Sequence, residues 1–138
     1  MARRITRREF IETTTLTAAG LAAASADAGA AAAALPTRPF GKTGLHVTCL
    51  AFGCGSRFLM YEQEAVALDV LNGAIDQGIR YLDTAIGYGD GESERRVGLL
   101  MRTRRKDVAL ATKIPRSART RDAALRQVEA SLKRLQTD

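Results

Sequence analysis

Histidine is nearly absent from this chain: His46 is the only one in 138 residues. Cysteine is scarce as well, at Cys49 and Cys54, and neither a Cys-x-x-Cys pair nor a His/Cys cluster is present to hold a metal. A disulfide is excluded too. On one extended strand, two cysteines five positions apart face opposite ways with Cα atoms up to ~16 Å apart, whereas a bridge requires less than ~7 Å. Both are read as free thiols and fix no redox compartment. His46 precedes the first strand and is expected as a surface loop residue, a strand's length (~17–20 Å) from Asp83.

Long apolar runs are also missing. The stretch Thr13–Ala24 is weakly apolar and too short for ~30 Å of hydrocarbon, which argues against a stable membrane anchor. A strong charge of one sign is absent as well. The net charge of +6 is modest, and four of the 21 basic residues, Arg3, Arg4, Arg7 and Arg8, lie in the first eight positions. Such basicity favours anionic partners without selecting one, and no recognition motif for nucleic acid accompanies it. The basic stretches Arg102–Lys106 and Arg116–Arg121 are expected as solvated surface. The second follows a strand closely enough to meet an anionic substrate. Hydrophobic residues at 46% and charged residues at 26% fit one ordinary soluble domain.

Residues 1–30 differ from the rest. Thr6, Arg7, Arg8, Glu9, Phe10 and Ile11 lead into the apolar run. Small-x-small patterns at Ala26-Asp27-Ala28 or Ala28-Gly29-Ala30 then offer a cleavage site. A basic start, a short apolar middle and a small-residue end make a signal peptide. The paired arginines resemble the twin-arginine export signal, although Glu12 stands where a basic or polar residue is more usual. The expected localisation is therefore extracytoplasmic, periplasmic in a bacterium, with the export machinery as a partner; without a working signal it is cytoplasmic. An Ala-rich linker is expected over 31–37, followed by a domain over 38–138.

Within that domain the pattern alternates. Gly41 to Gly44 between Phe40 and Leu45 read as a small hairpin. Val47–Phe52 is expected as a strand, closed by Gly53, Cys54 and Gly55. Glu62–Gln77 carries Ala65, Leu68, Val70, Leu71, Ala74 and Ile75 at helical spacing, with Gly78 as the stop. Ile79–Asp83 is a second strand. Ser93 is expected to cap a helix carrying Val97, Leu99, Leu100 and Met101. Val108–Lys113 is a third strand, and Thr120 caps a helix whose apolar face is Ala124, Leu125, Val128, Leu132 and Leu135. Three strands, each followed by a helix and starting roughly thirty residues apart, define an α/β chain with a parallel sheet and helical crossovers. Ligands in such folds bind at the C-terminal strand ends, where Gly53, Asp83 and Lys113 fall.

That placement gives Asp83, Tyr88 and Lys113 their interest. Parallel neighbours lie ~4.8 Å apart, so Asp83 and Lys113 would face each other at one mouth of the sheet. Tyr88, flanked by Gly87 and Gly89, would sit above them. An acid, a phenol and an ammonium converging there suit proton transfer.

From Arg38 to the last residue the chain resembles the aldo-keto reductases. The likeness rests on Phe40-Gly41-Lys42-Thr43-Gly44, on Asp83-Thr84-Ala85 with Tyr88-Gly89, on Gly91-Glu92-Ser93-Glu94, and on Ala111-Thr112-Lys113, in that order and spacing. The resemblance implies a (β/α)8 TIM barrel, of which this chain carries the N-terminal three βα units. It also implies reduction of aldehydes and ketones, small carbonyl substrates, with NADPH or alternatively NADH. It makes Tyr88 the proton donor, Lys113 the charge that makes the phenol a better acid, and Asp83 the partner of that lysine. Gly53, Cys54, Gly55 and Asp83 become the cofactor-binding positions, though turn chemistry also accounts for the glycines. The family's catalytic histidine and its phosphate-gripping loops would follow Asp138, so these residues alone are expected to be inactive. The competing expectations are a non-catalytic nucleotide-binding or regulatory member of the same fold, and an inactive truncated remnant.

Overall fold

The computed structural model describes residues 34–138. The signal peptide expected over 1–30 lies outside the described residues, as does the first part of the linker. The linker's last residues are structured. Leu35 packs against the hydrophobic core, and the first strand, β1 (Thr37–Pro39), begins inside the stretch expected to be irregular.

β1 pairs antiparallel with β2 (His46–Thr48), with Arg38 opposite Val47. The reversal uses Gly41 and Gly44, both at positive φ, where a side chain would be strained. Thr43 Oγ1 donates to the Phe40 carbonyl at 2.6 Å and fixes the turn. The hairpin expected there is present.

The strand expected over Val47–Phe52 is divided. Val47 and Thr48 belong to the hairpin, the chain bends at Cys49 and Leu50, and only β3 (Phe52–Gly53) joins the parallel sheet. The cause is the Thr48 hydroxyl. It donates to the Leu50 carbonyl at 2.7 Å and accepts from the Arg80 amide at 3.0 Å, offering the backbone an alternative to the strand ladder. Leu50 is left exposed as a result.

A parallel sheet follows in the order β3, β4 (Tyr81–Asp83), β5 (Ala109–Ala111). Gly53 aligns with Asp83, and Asp83 with Ala111. Between β3 and β4 lie a single helical turn, α1 (Ser56–Leu59), and the longer α2 (Glu64–Asp76). α1 was not legible, since four residues carry no periodicity. It nonetheless buries Phe58, whose ring stands edge-on to Phe52 at 6.1 Å. α2 buries Ala67, Leu71 and Ile75, one turn apart, and stops at Gly78, whose φ is +98°. Burying each large side chain of this kind contributes about 1.5–3 kcal/mol.

α3 (Glu92–Arg104) connects β4 to β5. Its cap is Gly91 in the left-handed conformation and not Ser93, which is fully buried within the first turn. Acidic residues in its first turn and basic ones in its last complement the helix dipole. A 3₁₀ turn over Arg105–Asp107 leads to β5.

α4 (Arg121–Leu135) is capped as expected: Thr120 Oγ1 accepts from the Ala123 amide at 3.2 Å. Its expected apolar face is covered only in part: Leu135 is buried and Ala124 and Leu132 half-buried, whereas Leu125 and Val128 stand exposed and Ser131, outside that face, is buried. The reason is the α3–α4 crossing. A Cβ at Gly98 would lie 2.1 Å from the Arg134 carbonyl oxygen, so the two backbones approach where only glycine and small side chains fit. This contact, and not the leucine stripe, sets the rotation of α4. Among the described residues no helix is long and apolar enough to cross a membrane.

Candidate active site

The parallel register brings the C-terminal ends of β3, β4 and β5 to one edge, and three of the sequence-expected residues meet there. Asp83 ends β4, and Lys113 lies two residues past β5. Tyr88 rides on the turn between β4 and α3. That turn is tightly built: the Tyr88 amide donates to the Ala85 carbonyl at 3.1 Å, and the Ser93 amide donates to the Tyr88 carbonyl at 3.2 Å. Gly89, Asp90 and Gly91 all have positive φ. A Cβ at Gly89 would lie 2.8 Å from Leu59 Cδ1, so α1 presses on the turn where a side chain would obstruct it.

Lys113 Nζ donates to Asp83 Oδ1, to the Thr84 carbonyl at 3.0 Å and to Tyr88 Oη at 3.3 Å. An ammonium has three hydrogens, and three acceptors surround this one. The nitrogen also lies 4.9 Å from the centroid of the Tyr88 ring, a cation–π contact. Partial burial alone would lower the pKa of Lys113, but the hydrogen bonds to Asp83 and Tyr88 outweigh it and hold the pKa above the ordinary lysine value. The group is an ammonium throughout the neutral range. The site is open, with about half of the Lys113 side chain and a third of that of Asp83 in solvent.

Gly53, Cys54 and Gly55 occupy the neighbouring strand end. Gly53 is exposed, with nothing within 4 Å of the place a Cβ would take, and a Cβ at Gly55 would lie 3.7 Å from the Tyr88 ring. Cys54 is different: its thiol is wholly buried, and desolvation, helped by the charge of Asp83 and opposed by Lys113, pushes its pKa up to about 12. It is no nucleophile. Its amide donates to the Asp83 carbonyl at 2.8 Å, so any contact with a ligand falls to its backbone.

Sequence reasoning missed four participants. The Thr84 carbonyl is a direct partner of Lys113. Behind it stand Ser93 and Glu94, both buried, and Thr112, whose hydroxyl reaches Glu94 from an exposed position just past β5. Ser93 was read as a cap because it is a small polar residue before a helix. The only signal that could have separated the two roles is the glycine at position 91, which suits a left-handed cap. His46 lies in β2, away from this edge in the topology. Among the described residues no group of three or more His, Cys, Asp or Glu side chains could hold a metal ion.

A parallel α/β unit thus brings an acid, a phenol and an ammonium together at its C-terminal strand ends, an arrangement able to move a proton. Comparison with known proteins carries this further. The profile described as the Aldo/keto reductase family matches residues 50–138, and the chain belongs to that family. It is 39% identical over 85 residues to aldo-keto reductase YhdN of Bacillus subtilis, a stretch covering 54% of this chain and 26% of that protein. It is 32% identical over 108 residues to a probable voltage-gated potassium channel subunit beta of Arabidopsis thaliana, covering 71% of this chain and 33% of that protein. An aldo-keto reductase of Klebsiella pneumoniae, solved in complex with NADPH, superposes with a TM-score of 0.64 at 33% identity, over 69% of this chain and 34% of that one. The chain thus spans about a quarter to a third of the length of these relatives.

Proposed function

We propose that this chain contributes the proton-delivery site of an NADP-dependent reductase that converts aldehydes or ketones to alcohols. The reading rests on one observation: Lys113 donates to Asp83, Thr84 and Tyr88 at once. Because the phenolic oxygen accepts from the ammonium, its own proton is free for a carbonyl oxygen arriving at the mouth of the sheet. Bound NADPH, or NADH as the alternative, supplies the hydride that goes to the carbonyl carbon. As negative charge gathers on the carbonyl oxygen, Tyr88 releases its proton there. The phenolate left behind is stabilised by the ammonium 3.3 Å away. Asp83 keeps Lys113 charged and in place. Gly53, Gly55 and the Cys54 backbone, with Asp83 beside them, line the place for the nicotinamide.

Tyr88→Phe removes one hydroxyl and spares the packing against Gly55. Turnover of an aldehyde should fall by ~10²-fold or more, with the cofactor dissociation constant unchanged, and Lys113→Met should lower turnover as well. A Tyr88→Phe protein with normal cofactor binding and near-full turnover would refute the assignment. The likeness to a channel subunit favours a second reading, a regulatory member that binds nucleotide without turning over substrate. It predicts cofactor binding with no reduction across an aldehyde panel, in wild type and variant alike.

Export belongs to the same proposal. Residues 1–35 fused to a folded reporter should carry it across the bacterial inner membrane, and Arg7→Lys with Arg8→Lys should abolish that transport. Unchanged transport by the double variant would remove the twin-arginine reading.

A further inference from the structure

Two adjacent side chains at the start of α3, Ser93 and Glu94, are fully buried, and neither touches a reacting group. Each is tied to a different strand end beside Lys113. Ser93 Oγ donates to the Cys54 carbonyl at 2.6 Å. With its only hydrogen used there, Ser93 is the acceptor in the 2.8 Å bond with Thr84 Oγ1. Thr84 is the residue whose carbonyl accepts from Lys113. On the other side, Glu94 Oε1 accepts from Thr112 Oγ1 at 2.6 Å, and Thr112 directly precedes Lys113. Glu94 Oε2 is taken by Arg134 Nε at 2.6 Å, from α4.

We propose that Ser93 and Glu94 are positioning residues for Lys113, a clamp that holds the backbone on both sides of its ammonium through Thr84 and Thr112. The chemistry of the choice supports this. A carboxylate with no solvent exposure is costly unless paired and hydrogen-bonded, and apolar side chains often replace a buried ion pair without loss of stability. Packing α3 on α4 therefore does not require Glu94. Holding a strand end does, because one oxygen serves α4 while the other reaches Thr112. The clamp fixes an ammonium whose titratable neighbours are Asp83 on β4 and the neutral Tyr88 phenol on the turn, with the buried Cys54 thiol behind Asp83. The inference rests on the catalytic reading of Lys113, and its test has one arm that does not.

The test compares Thr112→Val, Thr112→Ser and Ser93→Ala in the intact protein. Thr112 is exposed apart from its hydroxyl bond, so the valine variant leaves the core as it is. Thr112→Val should lower kcat on the order of tenfold, the scale of a small misplacement of a reacting group. The cofactor dissociation constant should not change. The titration of Lys113 Nζ, followed by NMR, should move down towards the ordinary lysine value as the contacts to Asp83 and Tyr88 loosen. Thr112→Ser should restore both readouts, and Ser93→Ala should move the Lys113 titration the same way. If Thr112→Val and Ser93→Ala melt at lower temperature yet leave the Lys113 titration in place, the layer serves packing alone and the clamp is wrong. If the wild-type protein reduces no carbonyl compound, the functional reading fails, and the titration arm still decides the clamp.

Discussion

Two pairs of a carboxylate and a cation are joined in this molecule through Thr112, which bonds Glu94 and directly precedes Lys113, and they are opposites. Glu94 and Arg134 meet where the carboxylate has no solvent exposure and the guanidinium is 29% exposed. Asp83 and Lys113 meet where both partners reach water, at 33% and 49%. In the first pair each carboxylate oxygen has its own donor, from two different elements. In the second, the cation is shared among three acceptors, one of them the Tyr88 phenol. The sealed pair is costly to break and the open pair cheap. A protein can therefore anchor with one and react with the other.

Glu94→Ala tests the sealed pair and should have the largest effect on stability. It strands a partly buried guanidinium and removes the acceptor of Thr112, a change of about 3–5 kcal/mol for a broken buried pair. Denaturant unfolding measures it. A loss below about 1 kcal/mol would erase the contrast with the open pair.

Asp83→Asn tests the open pair. Its cost in stability should stay within about 1 kcal/mol, whereas carbonyl reduction should fall severalfold or more as Lys113 loses the partner that holds its charge. The pH dependence has a definite sign. A lysine whose pKa is raised in the folded state contributes stability that is complete below its ordinary value of 10.5 and fades as pH climbs through the raised value. The difference between wild type and Asp83→Asn should accordingly be present at neutral pH and narrow in strong alkali. A gap that widens with pH would mean that Lys113 is not held by Asp83.

Thiol labelling near pH 8 gives the smallest effect and marks where dry meets wet. Cys49 is exposed and should label quickly, whereas Cys54, buried and with a pKa near 12, should label only as fast as the protein opens. Equal rates for the two thiols would mean that solvent reaches behind Asp83.

The open pair was legible in the sequence, and the sealed one was not. Asp83 and Lys113 end strands of a repeating βα pattern, and the pattern alone carries such positions to one edge. Tyr88 announced itself between two glycines. Ser93 read as a helix cap and Glu94 carried no signal of burial, because burial depends on what crosses above. That crossing is decided at Gly98, where the absent side chain lets α4 descend. Of the expected apolar face of α4, Leu125 and Val128 are left exposed while Leu135 is buried. The split of the first strand was hidden for a similar reason: a hydroxyl at Thr48 chose a partner 32 residues away in Arg80. Periodicity reads local preference, and each of these outcomes was settled by a distant backbone group.

The full set of contacts around Lys113 has a consequence for substrate choice. A nitrogen with three hydrogens already assigned has no spare valence, so its charge is internal wiring and not a docking post. A carboxylate or phosphate on an incoming molecule gains nothing from it unless one of the three acceptors lets go, and each release would disarm the phenol. An anionic guest reaches this ammonium only by displacing one of those acceptors, whereas a neutral guest leaves the wiring intact.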